Sequence, residues 1–83
     1  MLSLMPKSDS EFPALKVNKV LSILRRIGYV KVRQAGSHIR FEADGRQPII
    51  FSTHVGREVP PRHLRDILVN KAGLSDQETD DLL

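Results

Sequence analysis

Arg33-Gln34-Ala35-Gly36-Ser37-His38 is the stretch of this chain whose side chains could do chemistry together. Histidine moves a proton near neutral pH, and arginine holds a phosphate through two parallel hydrogen bonds. Set on one polar strand face with Arg40 and Glu42, His38 could assist RNA cleavage without metal. In that reaction a 2′-hydroxyl attacks the adjacent phosphate. Arg33 would approach from the end of the preceding strand. The competing reading is plain: most exposed histidines at a strand start are polar surface residues and catalyse nothing.

Other chemistries find little support. The three histidines lie at 38, 54 and 63, no two share a helical turn, and there is no cysteine. No metal site or metal cofactor is expected from that spacing. Asp44 belongs to a turn, Glu42 stands alone on its strand, and the remaining acids gather in the tails, so no catalytic carboxylate pair emerges. There is no phosphate-cradling glycine loop and no nucleophile elbow.

The elements that must position His38 follow from periodicity. Val17, Val20, Leu21, Leu24 and Ile27 fall on one helical face, with Ile23 as the misfit, and Gly28 follows as a stop. This predicts a helix at about 16–27. Tyr29 to Arg33 alternates as a strand, Ala35-Gly36 turns, and Ile39 and Phe41 alternate with His38, Arg40 and Glu42 in a second strand. Tyr29 is expected to pack rather than to stack on a base. Asp44-Gly45 signals a type I′ hairpin, and Ile49-Ile50-Phe51 forms a third strand whose Pro48 suits a sheet edge. Residues 53–59 are expected to be a loop, with His54 in a loop-structuring role or near the polar sheet face. Pro60-Pro61 opens a second helix buried through Leu64, Ile67, Leu68 and Ala72, with His63 exposed and Gly73 as the stop. Ser75 and Glu78 form a capping box for a last short helix. The fold class is therefore α+β, in the order α-β-β-β-α. A three-stranded antiparallel sheet would carry two helices on one face and leave the other wet.

Residues 1–14 show no period and are expected to form a flexible arm outside a single domain at 15–83, with Met1 or Met5 as the start. At 83 residues with 40% hydrophobic and 5% aromatic content, one small aliphatic core is the most the chain can build. No apolar run approaches the ~18 residues that a bilayer span needs, and the opening residues do not make a signal peptide. The expected setting is cytoplasmic, with no membrane partner. The net charge is +3, but residues 16–73 hold twelve Lys/Arg against Glu42, Asp44, Glu58 and Asp66, a local +8. That concentration suits a nucleic-acid partner, though a solvated surface under an acidic tail would give the same count.

Ile27-Gly28-Tyr29, Arg33-Gln34, Gly36-Ser37-His38 with Phe41, Asp44-Gly45-Arg46, His54-Val55-Gly56 and Pro60-Pro61 recur in this order over residues 16–82, followed by Leu64-Arg65-Asp66-Ile67-Leu68 and Ala72-Gly73-Leu74-Ser75. The pattern resembles the HicA family of toxins. That resemblance implies a double-stranded-RNA-binding-like fold and a ribosome-independent endoribonuclease acting on mRNA, with His38 as the catalytic residue. It also implies a HicB-like antitoxin partner that covers that histidine. The expected RNA-binding set is Arg33, Gly36, Ser37 and Arg40 around His38, with Arg62 and Arg65 on the second helix. The helix pair, like Lys71, would equally suit an ordinary solvated face. Two positions depart from the family: Ile39 stands where a second histidine is common, and Arg62-His63 where Gly-Thr is common. Ile39 is expected to face the core. A non-catalytic duplex-RNA-binding module is the alternative reading, and a pure protein-interaction module is a third.

Overall fold

The computed structural model describes residues 11–52 and 58–83. Residues 1–10 of the expected arm, and His54 with its loop neighbours at 53–57, lie outside the described residues. Strand β1 (Leu15–Lys16) leads into helix α1 (Val17–Arg26), then β2 (Val30–Ala35), β3 (His38–Glu42), β4 (Ile49–Ser52) and β5 (Glu58–Val59). Helix α2 (Pro61–Arg65) continues without a break into a π-helical stretch, Asp66–Lys71, and α3 (Asp76–Leu82) closes the order. Strands β2-β3-β4 form an antiparallel sheet with β3 in the centre, as the periodicity predicts.

The core gathers on one side of that sheet. Ile39 pairs with Phe51 and Phe41 with Ile49, and all four are buried. Val20, Ile23 and Leu24 of α1 and Leu64, Ile67 and Leu68 from the second helix complete the same cluster. Ile23, the expected misfit, is 1% exposed, whereas Val17, Leu21 and Ile27 are only partly buried. The buried stripe is therefore turned toward Ile23, which joins Val20 and Leu24 in the cluster shared with the sheet and the second helix.

Three further expectations are corrected. Phe12, within the segment expected to be an arm, is 4% exposed and belongs to the core. The expected loop at 53–59 ends in a strand: Glu58 and Val59 pair with Lys16 and Leu15 in a second, two-stranded sheet. Asp44-Gly45 does not close a two-residue hairpin, since β3 stops at Glu42 and β4 starts at Ile49. Only Gly45 has positive φ there, and the Arg46 N–H donates to the Ala43 carbonyl at 3.2 Å. That is the pattern of a type II turn, which needs positive φ at its third residue alone.

The 43–48 loop is stitched to its surroundings. The buried Tyr29 hydroxyl donates to the Gln47 carbonyl at 2.7 Å. Arg46 Nη1 donates to the Ala72 carbonyl at 2.6 Å, and the Gln47 N–H to the Lys71 carbonyl at 3.2 Å. A guanidinium at the last carbonyls of a helix satisfies orphan acceptors and complements the helix dipole. The π-helical stretch carries its own logic: the Ala72 N–H donates to the Ile67 carbonyl at 2.9 Å. A wider turn brings residues five apart to the same side, so Ile67 and Ala72 are both buried.

At the C-terminus the capping box forms as expected. Ser75 Oγ accepts from the Glu78 N–H at 3.1 Å, and Glu78 Oε1 accepts from the Ser75 N–H at 2.9 Å. The Ser75 N–H first, and the Ser75 side chain after it, favour the ionised carboxylate and hold the Glu78 pKa below its ordinary value.

Two stability outcomes follow. Burial raises the Tyr29 pKa above 10.0, with the Arg46 charge partly opposing it. The unfolded chain therefore loses this proton first, and the stability that Tyr29 confers is complete below pH 10 and declines as pH rises through the folded value. Tyr29→Phe should lower stability by about 1 kcal/mol at pH 7, through the lost hydrogen bond, and flatten the decline above pH 10. Urea melts at both pH values measure it. Ser75→Ala should lower stability by about 1 kcal/mol at neutral pH. Because Glu78 is depressed in the fold, its share is present above the ordinary carboxylate range and lost as pH falls through the lowered value. The gap between wild type and variant should therefore narrow in acid melts.

Candidate functional site

His38 opens β3 because Gly36-Ser37 reverses the chain directly before it. Ala35 pairs with His38 across this two-residue loop, and Gly36 has φ of 60° while Ser37 is not left-handed. Glycine first is the requirement of a type II′ turn, which matches the twist of the strands it joins. Alternation along β3 then sends Ile39 and Phe41 inward and His38, Arg40 and Glu42 outward.

On the neighbouring strand, alternation alone would misplace Arg33. Val30 pairs with Glu42 and Lys31 with Phe41, but Arg33 pairs with Arg40, Gln34 with Ile39 and Ala35 with His38. The register shifts by one between Lys31 and Arg33, so Val32 is an extra residue, a β-bulge. An extra residue reverses which face every later side chain takes. The bulge thus puts Arg33 and Ala35 on the wet face beside His38. Val30, opposite Glu42, and Val32, the extra residue, stand outside the core at 60% and 49% exposure.

The wet face is consequently ordered in rows. Ala35, His38 and Ser52 form one, and Arg33, Arg40 and Ile50 the next. Same-face residues along a strand lie roughly 6.8 Å apart, and neighbouring strands about 4.8 Å. Arg33, Ala35, His38, Arg40 and Ile50 line a shallow depression of about 210 Å³. Two guanidinium groups directly opposite each other destabilise a bare sheet, and an anion between them would relieve the repulsion. Arg40 Nε donates to Glu42 Oε2 at 2.9 Å, an exposed pair that fixes the guanidinium along the strand. No hydrogen bond holds the His38 imidazole among the described residues. Glu42, engaged by Arg40, lies beyond it on the same face.

The expected RNA-binding residues therefore divide. Arg33 and Arg40 meet His38 in one depression, and Gly36 and Ser37 form the turn that leads into it. Arg62 and Arg65 do not join them. They line a separate cleft of about 460 Å³ with Pro60, His63, Asp66 and Asn70. His63, expected to be merely exposed, is half-buried, with its ring 6.3 Å from that of the core residue Phe51. Sequence reasoning missed Ile50, which is 61% exposed in the wall of the His38 depression. The available signal was its place between the two core residues Ile49 and Phe51, which alternation sends outward. Among the described residues no group of three or more His, Asp or Glu side chains is placed to hold a metal ion, and no described helix is long and apolar enough to cross a membrane.

Comparison with curated proteins finds no match to this chain, and neither does comparison with solved structures. The family model described as HicA toxin of bacterial toxin-antitoxin matches residues 17–74. That stretch runs from the first residue of α1 through the helical stop at Gly73, and it contains the turn, the bulge and both rows of the wet face. This protein belongs to the HicA toxin family.

Proposed function

We propose that the chain is the toxin of a type II toxin-antitoxin pair and acts as a metal-independent endoribonuclease on mRNA, with His38 as its single catalytic histidine. The observation that carries this reading is the convergence of Arg33, Arg40 and an exposed His38 on one face. The substrate's 2′-oxygen forms a bond to phosphorus while the bond from phosphorus to the 5′-oxygen breaks. A 2′,3′-cyclic phosphate and a 5′-hydroxyl result. One proton must leave the 2′-hydroxyl and one must reach the departing oxygen. His38 performs one of these transfers, and Arg33 and Arg40 neutralise the charge that gathers on the phosphate. A HicB-like antitoxin would silence the toxin by covering this face, and the local positive charge would speed its association.

A non-catalytic duplex-RNA-binding module is the second reading. It is favoured by the cleft holding Arg62 and Arg65, which offers cations away from any histidine on the sheet. Cleavage separates the two readings.

His38→Ala is the decisive variant. The side chain is exposed at the start of β3, so its removal should shift stability by no more than about 0.5 kcal/mol. Cleavage should slow by about 10²–10⁴-fold, with RNA affinity nearly unchanged, because cationic side chains supply most of it. Melting temperature, RNA binding and cleavage rate on one preparation check all three. Wild-type cleavage in the variant removes His38 from the mechanism, and a much lower melting temperature makes it structural. Cleavage should also continue in excess chelator. Full loss there, with recovery on adding a divalent ion, would overturn the histidine mechanism.

A further inference from the structure

We infer that the depression beside His38 takes an unpaired RNA strand, with one base resting on Ile50, so that this face selects single-stranded over duplex RNA. The inference rests on the nuclease reading for the kind of polymer bound, and it deepens that reading by naming the form of the strand. A lone exposed aliphatic residue is ordinary on a protein surface. Here the arrangement is not scattered. Of the large exposed hydrophobics among the described residues, Val30, Val32 and Ile50 lie on the same sheet face, and only Leu83 lies elsewhere. Ile50 shares its cross-strand row with Arg33 and Arg40.

Duplex RNA offers such a wall nothing. In an A-form helix the base faces are stacked away, and a protein meets phosphates, 2′-hydroxyls and base edges across a shallow groove. An unpaired strand exposes a base face, and contact between that face and an apolar side chain tolerates any sequence. The depression, about 210 Å³ and walled by Ala35 and Ile50 between guanidinium groups, is of the scale of one base with its phosphate. The chemistry asks for the same substrate. In-line attack needs the 2′-oxygen opposite the leaving 5′-oxygen, and stacking in a duplex holds it off that line. Ile50 is thus a positioning residue. It touches the base, while His38 and the arginines meet the reacting phosphate.

Charge alone predicts the reverse preference, because a duplex presents the denser phosphate array and releases more counterions. The test uses a short 2′-O-methyl RNA, which cannot be cleaved through its 2′-oxygen, alone and annealed to its complement. Fluorescence anisotropy at one salt concentration gives both affinities for the full chain. The unpaired strand should bind about tenfold more tightly. Ile50→Thr keeps a β-branched residue in the edge strand and should bring that ratio close to one. Ile50→Leu should restore it. On an unmodified single strand, Ile50→Thr should raise KM by about tenfold and leave kcat within about a factor of two. Equal or tighter binding of the duplex by the wild-type chain overturns the inference, whatever the variants do. A preference that survives in Ile50→Thr removes Ile50 from RNA contact. The nuclease reading is scored separately, by whether the unmodified strand is cut. Preference without cleavage retires the His38 chemistry and leaves the strand selectivity standing.

Discussion

Ile39 and Phe41 on β3, paired with Phe51 and Ile49 on β4, make a four-residue apolar patch that must be covered, and everything else in the fold is arranged around covering it. Burying such side chains stabilises by about 1.5–3 kcal/mol each. Among the described residues, α1 and the second helix supply the buried helical side chains that cover the patch, Val20, Ile23, Leu24, Leu64, Ile67 and Leu68. Both are therefore spent on one face of the sheet. The opposite face stays in water by default, and on it the exposed His38 stands beside Arg33 and Arg40 at fixed strand spacing.

Rigidity on that wet face comes from the buried one. His38 alternates with Ile39 and Arg40 with Phe41, so each functional side chain is anchored by a core neighbour one residue away. The turn before His38 is set by Gly36, whose positive φ any other residue would adopt only with strain. Placement of this kind, on strands and not on a loop, is what a phosphate-holding pair needs.

The bulge at Val32 trades regularity for composition of the face. Without it, Lys31 and Arg33 would share one side of β2, and Arg33 would point away from Arg40 and His38. With it, two apolar residues and an arginine stand outward together. Val30 faces out through its pairing with Glu42 and Val32 stands unpaired in the bulge, so the wet face is partly apolar. Tyr29 ties the 43–48 loop to the segment between α1 and β2, and Arg46 and Gln47 tie it to the end of the second helix, so polar bonds as well as packing join the sheet to the helices.

The local signals in this sequence determined what local physics controls. Alternation through β3, the glycine before His38, proline at the start of the second helix, glycine at its end and the Ser75–Glu78 box each concern neighbours within a few residues, and each is realised. The tertiary structure decided whatever depends on a distant partner. Ile23 is buried with Val20 and Leu24 in a cluster drawn from both the sheet and the second helix. Phe12 is buried because the core has room for it, although its own segment has no period. Leu15–Lys16 forms a strand only because Glu58–Val59 lies beside it. Asp44-Gly45 turns as type II because its loop is held by bonds to Lys71 and Ala72, about 26 residues on. The face of Arg33 is the sharpest case. It depends on one unpaired residue in a ladder, and β2 by itself reads equally well with or without a bulge, since only the register against β3 tells them apart.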